Sequence, residues 1–311
     1  MQNKGELLTN NRFKQMKNKI LITGATGDLG SKVINLLKEK TEVENLAVLV
    51  RDEKHELAKQ YKNDGIDIKI GDYANLESLE KAFKGIDILY FVSGGDDNER
   101  SKLHENVVDM AQKAGIKHIL YTSGVRKDES VSSPLATLMD SHIQTENFIK
   151  ASGITYTIFR HNLYAEVIEM MIGDKSQLLK VKTIYLPTAN GLTSFVPKKD
   201  LAEAEVNILL NPSAYANKIL EFNGSEQITF SEIAKKISEI MKEPIEYISP
   251  EITEFETEMN KFGLPNHIIK ILSTFSLAIA NGEFDQQSND LEILLGRKTI
   301  SLSEYLKATY K

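Results

Sequence analysis

"ILITGATGDLGSKVINLL", residues 20–37, sets a short apolar run directly before three glycines spaced Gly-x-x-Gly-x-x-Gly, then continues into an apolar pattern of helical period. A strand that enters a helix through a glycine turn aims several amide hydrogens and the positive helix end at one point, which suits a pyrophosphate. Gly24 would allow the tight turn, Gly27 the close approach of a ligand to the backbone, and Gly30 the close packing of helix on strand. The candidate cradle is Gly24, Thr26, Gly27, Asp28, Leu29 and Gly30. A spaced glycine triplet is a weak signal alone; its place at the head of an alternating strand and helix series gives it weight.

That series runs outward from the turn. Apolar runs "KILIT" (19–23), "LAVLV" (46–50), "IDIKIG" (66–71), "IDILYFVS" (86–93), "KHILYTS" (117–123) and "ITYTIFR" (154–160) are separated by amphipathic segments. This order predicts an α/β fold: a Rossmann-type doubly wound parallel sheet with helices on both faces. Gly115 and Gly153 each stand just before the next strand, where a left-handed helix end is expected. After Arg160 the alternation stops, and segments such as "LPTANGLTSFVP" (186–197) mix short strands, turns and helices. The expected organisation is a leader over 1–18, a dinucleotide-binding domain over 19–160, and a smaller C-terminal α/β substrate lobe over 161–311, some of whose segments return to the sheet. In that lobe Asp200 is placed to cap a helix N-terminus.

Composition narrows the function. The 311 residues are 41% hydrophobic and 26% charged, ordinary for a folded globular chain, and the net charge of −6 offers no basic stripe for nucleic acid. Cys is absent, which removes disulfide and thiolate chemistry and favours a cytoplasmic location. The apolar stretch 268–280 is interrupted by Lys270, Ser273, Thr274 and Ser276 and is too short to span a bilayer, so it reads as a buried or pocket-lining helix with no membrane partner. Residues 1–19 are polar and lack the apolar core of a secretory signal; they read as a disordered leader, with Met16 an alternative start. No metal is assigned, and a homodimer is compatible with the sequence.

Three further positions extend the candidate cofactor site. In "VLVRD", Arg51 follows the second strand, with Val50 where an acid would favour NAD, so a 2′-phosphate and hence NADP(H) is expected; a solvated Arg-Asp turn is the alternative. Asp72, just past the third strand, can accept from an adenine amino group or cap the next helix. The small residues of "FVSGG" (91–95), among them Val92, Ser93 and Gly94, would let backbone lie against the inner ribose and phosphate, or form a plain turn.

The segments "ITGATGDLGSKVI", "VLVRD", "GDYANLESLEKAFKGID", "AGIKHILYTS", "TENFIKASGITYTIFRHNLYAE" and "FGLP...GEFDQQSNDLEILLGRKTISL" resemble the NmrA-like atypical short-chain dehydrogenase/reductases. The similarity covers residues 19 to 305 and is strongest to the NADPH-dependent quinone oxidoreductase type 2 and triphenylmethane reductase branch. The wider superfamily implies a Tyr proton donor with a Lys four residues later on one helix face, and in extended members a Glu four residues further on. In "LATLMDSHIQTENFIKASG", Glu146 matches that Glu, which puts His142 at the Lys position and Leu138 at the Tyr position. The usual donor is missing.

His142 is then a ribose-binding or acid residue, or a surface histidine. Ser123 matches the superfamily's substrate-side Ser, or simply closes its strand. Tyr121 reads as buried in a strand, while Tyr164, Phe195 and the "FGLP" turn (262–265) are candidate pocket residues. "RHNLY" (160–164) matches the segment lining the nicotinamide end, with His161 where the quinone reductase type has Asn. The resemblance implies an NADPH-dependent oxidoreductase that passes hydride to a quinone or similar small aromatic acceptor, which stabilises the resulting anion and protonates from solvent. Two alternatives stay open: a non-catalytic NADP(H)-binding redox sensor and a nucleoside-sugar epimerase-like enzyme.

Overall fold

The computed structural model describes residues 18–94, 99–127 and 129–311. Most of the expected leader and Gly95 of "FVSGG" lie outside the described residues. The six apolar runs form β1 (Ile20–Ile22), β2 (Leu46–Val50), β3 (Asp67–Ile70), β4 (Ile88–Phe91), β5 (His118–Gly124) and β6 (Thr155–His161). Two short strands follow, β7 (Thr183–Tyr185) and β8 (Lys218–Phe222).

A seven-stranded sheet has the order β3-β2-β1-β4-β5-β6-β8, and the pairings from β3 through β5 are all parallel. Ile20 faces Leu46 on one side and Ile88 on the other. β1 is fully buried, as an inner strand covered by helices on both faces must be, and this is why it reads as continuous apolar sequence. The crossover helices are α1 (Asp28–Lys38), α2 (Glu56–Asn63), α3 (Leu76–Ala82), α4 (Arg100–Ala114) and α5 (Ala136–Ala151). Gly115 ends α4 at φ 76°, and Gly153 adopts φ 75° after α5, so both stop signals act as expected.

The chain divides into two compact units. The first takes the residues up to Ser123 with Ser141–Phe159 and Leu201–Leu220; the second takes Gly124–Asp140, Arg160–Asp200 and Glu221–Lys311. The core of the first unit is built on Leu21, Leu49, Phe83, Phe91, Val107 and Ile119. The second has its own core, with Phe195, Phe230, Ile233, Ile237, Leu306 and Tyr310 at its centre. It holds α6 (Val167–Ile172), α7 (Lys175–Val181) and, after α8 (Lys198–Leu209) and α9 (Phe230–Met241), β9 (Glu246–Ile248), which pairs parallel to β7. α9 is closed by a capping box between Thr229 and Glu232. α10 (Ile252–Lys261) and α11 (Asn266–Ala280) follow; α11 contains the interrupted apolar stretch, with Ile269, Leu272, Ser276 and Ile279 on its buried face.

Asp200 corrects one expectation. It does not cap α8; it is the third residue of that helix and fully buried. Its carboxylate accepts from the Ile300 amide at 2.6 Å and pairs with Arg297 at 2.9 Å. A buried carboxylate needs a cation and a donor, and tertiary partners from the C-terminal segment supply both. Among the described residues, no helix is long and apolar enough to cross a membrane.

Candidate functional site

The glycine turn is shaped by two close approaches. Gly24 has φ +60°, and a Cβ there would lie 2.9 Å from Val92 Cβ, so a side chain would be both strained and blocked. The Gly24 carbonyl accepts from the Gly27 amide at 2.9 Å, closing the turn. A Cβ on Gly30 would stand 2.3 Å from that carbonyl oxygen, so only glycine lets α1 begin directly over the turn. Gly27 is the residue before α1, and no side chain caps that helix end, so its first-turn amides and positive pole face outward for an anion. Asp28 is ion-paired with Lys32, one turn along, and Leu29 is buried. From α2, the Tyr61 hydroxyl donates to the Ala25 carbonyl at 2.9 Å, pinning the turn; burial pushes that phenol up to about 12.

A cleft of about 440 Å³ opens beside this turn, within the first unit. It brings together Gly24, Thr26, Arg51, Asp72, Val92, Ser93 and Gly94 from the ends of four parallel strands, the place where open α/β sheets bind ligands. Gly27, Asp28, Leu29 and Gly30 sit on the helix side of the turn rather than on the cleft wall. Arg51 is exposed at the rim. Asp72 does not cap α3: its carboxylate accepts from Ala74 N at 2.8 Å, while Asn75 caps the helix by accepting from Ser78 N at 2.9 Å.

Several wall residues escaped the sequence reading, Tyr73 and Leu103 among them. Tyr73 follows Asp72 directly and could have been found from that position. Burial raises its phenol above the usual range, against the Thr23 hydroxyl and Arg51, which lower it.

The loop after β4 is fastened from below. Ser93 N donates to Thr122 Oγ1 at 2.8 Å, and Val92 N to Thr23 Oγ1 at 3.0 Å. His104 of α4, fully buried, places Nε2 2.8 Å from the Gly94 carbonyl and Nδ1 2.9 Å from Thr145 Oγ1. Burial drives the pKa of this imidazole down to about 4, partly opposed by its bond to Gly94. The ring is therefore a neutral strut between the loop and α5, packed edge-on to Phe91 with centroids 4.7 Å apart. A signal for it was present: His104 shares the buried stripe of Val107, Val108 and Ala111.

In the same unit, His142 is buried, which corrects the surface alternative; its Nδ1 lies 2.9 Å from the Tyr121 hydroxyl. Ser123 ends in a different contact. Its hydroxyl donates to Glu146 Oε1 at 2.8 Å, and Glu146, itself buried, pairs with Lys150 at 3.4 Å. The Glu that fixed the motif register thus holds the Ser.

The second unit contributes a cluster and a cavity. Tyr164 is half-buried; its hydroxyl is 3.1 Å from His161 Nδ1, and Lys198 Nζ lies 5.0 Å from the centre of its ring. A cavity of about 820 Å³ is lined by Met170, Met171, Phe255, Met259, Leu264 and Leu272, with Glu166, Glu169 and Asp174 also on its wall. Of the "FGLP" turn, Leu264 lines this cavity, whereas Phe262 is 74% exposed. Phe195 is a core residue, packed edge-on to Phe230.

A family model described as NmrA-like matches residues 16–306. The chain belongs to the NmrA-like family. This NmrA-like chain is 27% identical over 285 residues to quinone oxidoreductase 2 of Escherichia coli strain K12, covering 92% of the chain and 96% of that protein. Among solved structures, the Citrobacter sp. triphenylmethane reductase complexed with NADP(H) aligns with a TM-score of 0.83 at 30% identity, over 93% of this chain and 99% of that one. The NADPH complex of the Escherichia coli NADPH-dependent quinone oxidoreductase aligns with a TM-score of 0.84 at 26% identity, again over 93% and 99%.

Proposed function

We propose that this NmrA-like chain is an NADP(H)-dependent oxidoreductase that delivers hydride to a quinone or similarly conjugated aromatic acceptor. The observation that carries the reading is the cleft at the strand ends, which the glycine turn beside an uncapped helix N-terminus and Arg51, just past β2, both line. Those residues fit the cofactor. The Gly24–Gly30 turn leaves backbone surface for a pyrophosphate beside the uncapped start of α1. Arg51 would pair with a 2′-phosphate, and Asp72 and Tyr73 would border the adenine. The bound cofactor supplies the hydride. Val92, Ser93 and Gly94, held by Thr23, Thr122 and His104, keep the inner wall fixed so that orientation costs little at the moment of reaction.

Within the first unit, His142 and Ser123 are the candidate groups beside the acceptor. With Leu138 at the usual donor position, an acceptor whose reduced anion is spread over an aromatic ring is the one best served. The names of the relatives, a quinone oxidoreductase and a triphenylmethane reductase, support that acceptor class.

The test is steady-state oxidation of NADPH with a panel of benzoquinones and naphthoquinones, run beside calorimetric titration of the cofactor. Quinone-dependent consumption of NADPH is expected. Tight binding without consumption would refute turnover and favour a sensor.

A further inference from the structure

We infer that the Ser93 side chain, oriented by Thr122, hydrogen-bonds the nicotinamide half of the dinucleotide, so that a hydroxyl does there what free backbone amides do at the glycine turn. The inference rests on the NADP(H) reading above and deepens it by adding a contact beyond the pyrophosphate.

The strand order gives the direction. The ends of β3, β2, β1 and β4 lie side by side in that order, with neighbours roughly 4.8 Å apart. They carry in turn Asp72 and Tyr73, then Arg51, then the glycine turn, then Val92, Ser93 and Gly94. With a 2′-phosphate on Arg51 and the pyrophosphate on the turn, the second nucleotide would leave on the β4 side. Ser93 stands close to that exit, because a Cβ on Gly24 would lie 2.9 Å from Cβ of its neighbour Val92.

This small-residue stretch suggests a backbone contact, yet its backbone donors are already engaged within the fold. Val92 N donates to Thr23 Oγ1 at 3.0 Å, and Ser93 N to Thr122 Oγ1 at 2.8 Å. Gly94 keeps its carbonyl oxygen 2.8 Å and its nitrogen 3.4 Å from His104 Nε2. A donor satisfied in this way has little to offer a ligand.

The Ser93 hydroxyl is differently placed. Its oxygen accepts from Thr122 Oγ1 at 3.3 Å, and its own hydrogen has no acceptor among the described residues. Each hydroxyl has a single hydrogen, so Thr122 receives the Ser93 amide, passes its own hydrogen to Ser93 Oγ, and leaves the Ser93 hydrogen for an acceptor in the cleft. Ser93 is half-buried on the cleft wall, whereas Thr122 is buried beneath it. The nicotinamide half presents phosphate and ribose oxygens, which are acceptors for such a donor. Ser93 is therefore the binding residue and Thr122 the positioning residue.

The experiment is calorimetric titration of NADPH, NADH and 2′,5′-ADP into wild type, Ser93→Ala, Thr122→Val and Thr122→Ser. The fragment 2′,5′-ADP carries the 2′-phosphate but lacks the nicotinamide half. Ser93→Ala should weaken NADPH about tenfold, the effect of one lost hydrogen bond, and leave 2′,5′-ADP within about twofold of wild type. NADH, which shares the nicotinamide half, should weaken by the same factor as NADPH. Thr122→Val should show the same split between NADPH and the fragment, and Thr122→Ser, which keeps the hydroxyl, should bind as wild type does.

Unchanged NADPH affinity in Ser93→Ala or in Thr122→Val, or equal losses on NADPH and the fragment in either variant, would overturn the inference while leaving the cofactor reading intact. A wild type that binds NADPH but not the fragment would also overturn it, since the direction taken from Arg51 would then be wrong. A wild type that binds neither NADPH nor the fragment would instead overturn the NADP(H) reading itself.

Discussion

Acidification should destabilise the first unit through His104. This imidazole is buried without charge, its pKa driven down to about 4, whereas in the unfolded chain it returns to a value near ~6.5. Between those values the unfolded state binds the proton that the folded state refuses, so stability falls as pH drops from about 6.5 toward 4 and is fully present above that window. For a single group with these two values, the difference between pH 7 and pH 5 is on the order of 2 kcal/mol.

The His104→Gln variant isolates this share. Gln offers a neutral amide that can hydrogen-bond at this position and has no charge to gain. Denaturant midpoints at pH 7 and pH 5 should show wild type losing about 2 kcal/mol more than the variant. His118, also buried and lowered to about 4 mainly by burial, provides a comparable loss in both proteins and so cancels. If wild type and variant lose the same stability within about 0.5 kcal/mol, His104 protonates without penalty and its role as a neutral strut is wrong.

Arg51→Ala should weaken NADPH binding by about 1.5–3 kcal/mol, the range for a hydrogen bond to a charged group, and leave NADH binding nearly unchanged; equal losses in calorimetry would refute the 2′-phosphate assignment. Gly30→Ala should cost about 1–3 kcal/mol of stability, because the added carbon meets the Gly24 carbonyl oxygen at 2.3 Å and the turn must open; an unchanged melting temperature would contradict the close packing. His142→Ala should lower the quinone rate by at most about tenfold, roughly 1.4 kcal/mol, since Leu138 leaves it no phenol to activate on its own helix face; a loss of several orders of magnitude with cofactor affinity intact would make His142 the acid.

What was legible in the sequence is local. The strand, glycine turn and helix of residues 20–37 are written in adjacent residues, as are Arg51 at the end of β2 and the left-handed stops at Gly115 and Gly153. Backbone conformation and hydrophobic period act over a few positions, so they can be read without knowing what lies across the core.

The tertiary structure alone decided which polar side chains meet. Asp200 looked like a helix cap until the chain brought Arg297 and Ile300 to it, and Asp72 stood open as a cap or an adenine contact until the turn geometry gave the cap of α3 to Asn75. His142 faces Tyr121, His104 reaches Gly94 and Thr145, and Lys198 lies over Tyr164, each pair joining residues of different elements or loops. A buried polar group must find a partner wherever the packing places one, and that partner follows from the path of the whole chain rather than from its neighbours in sequence.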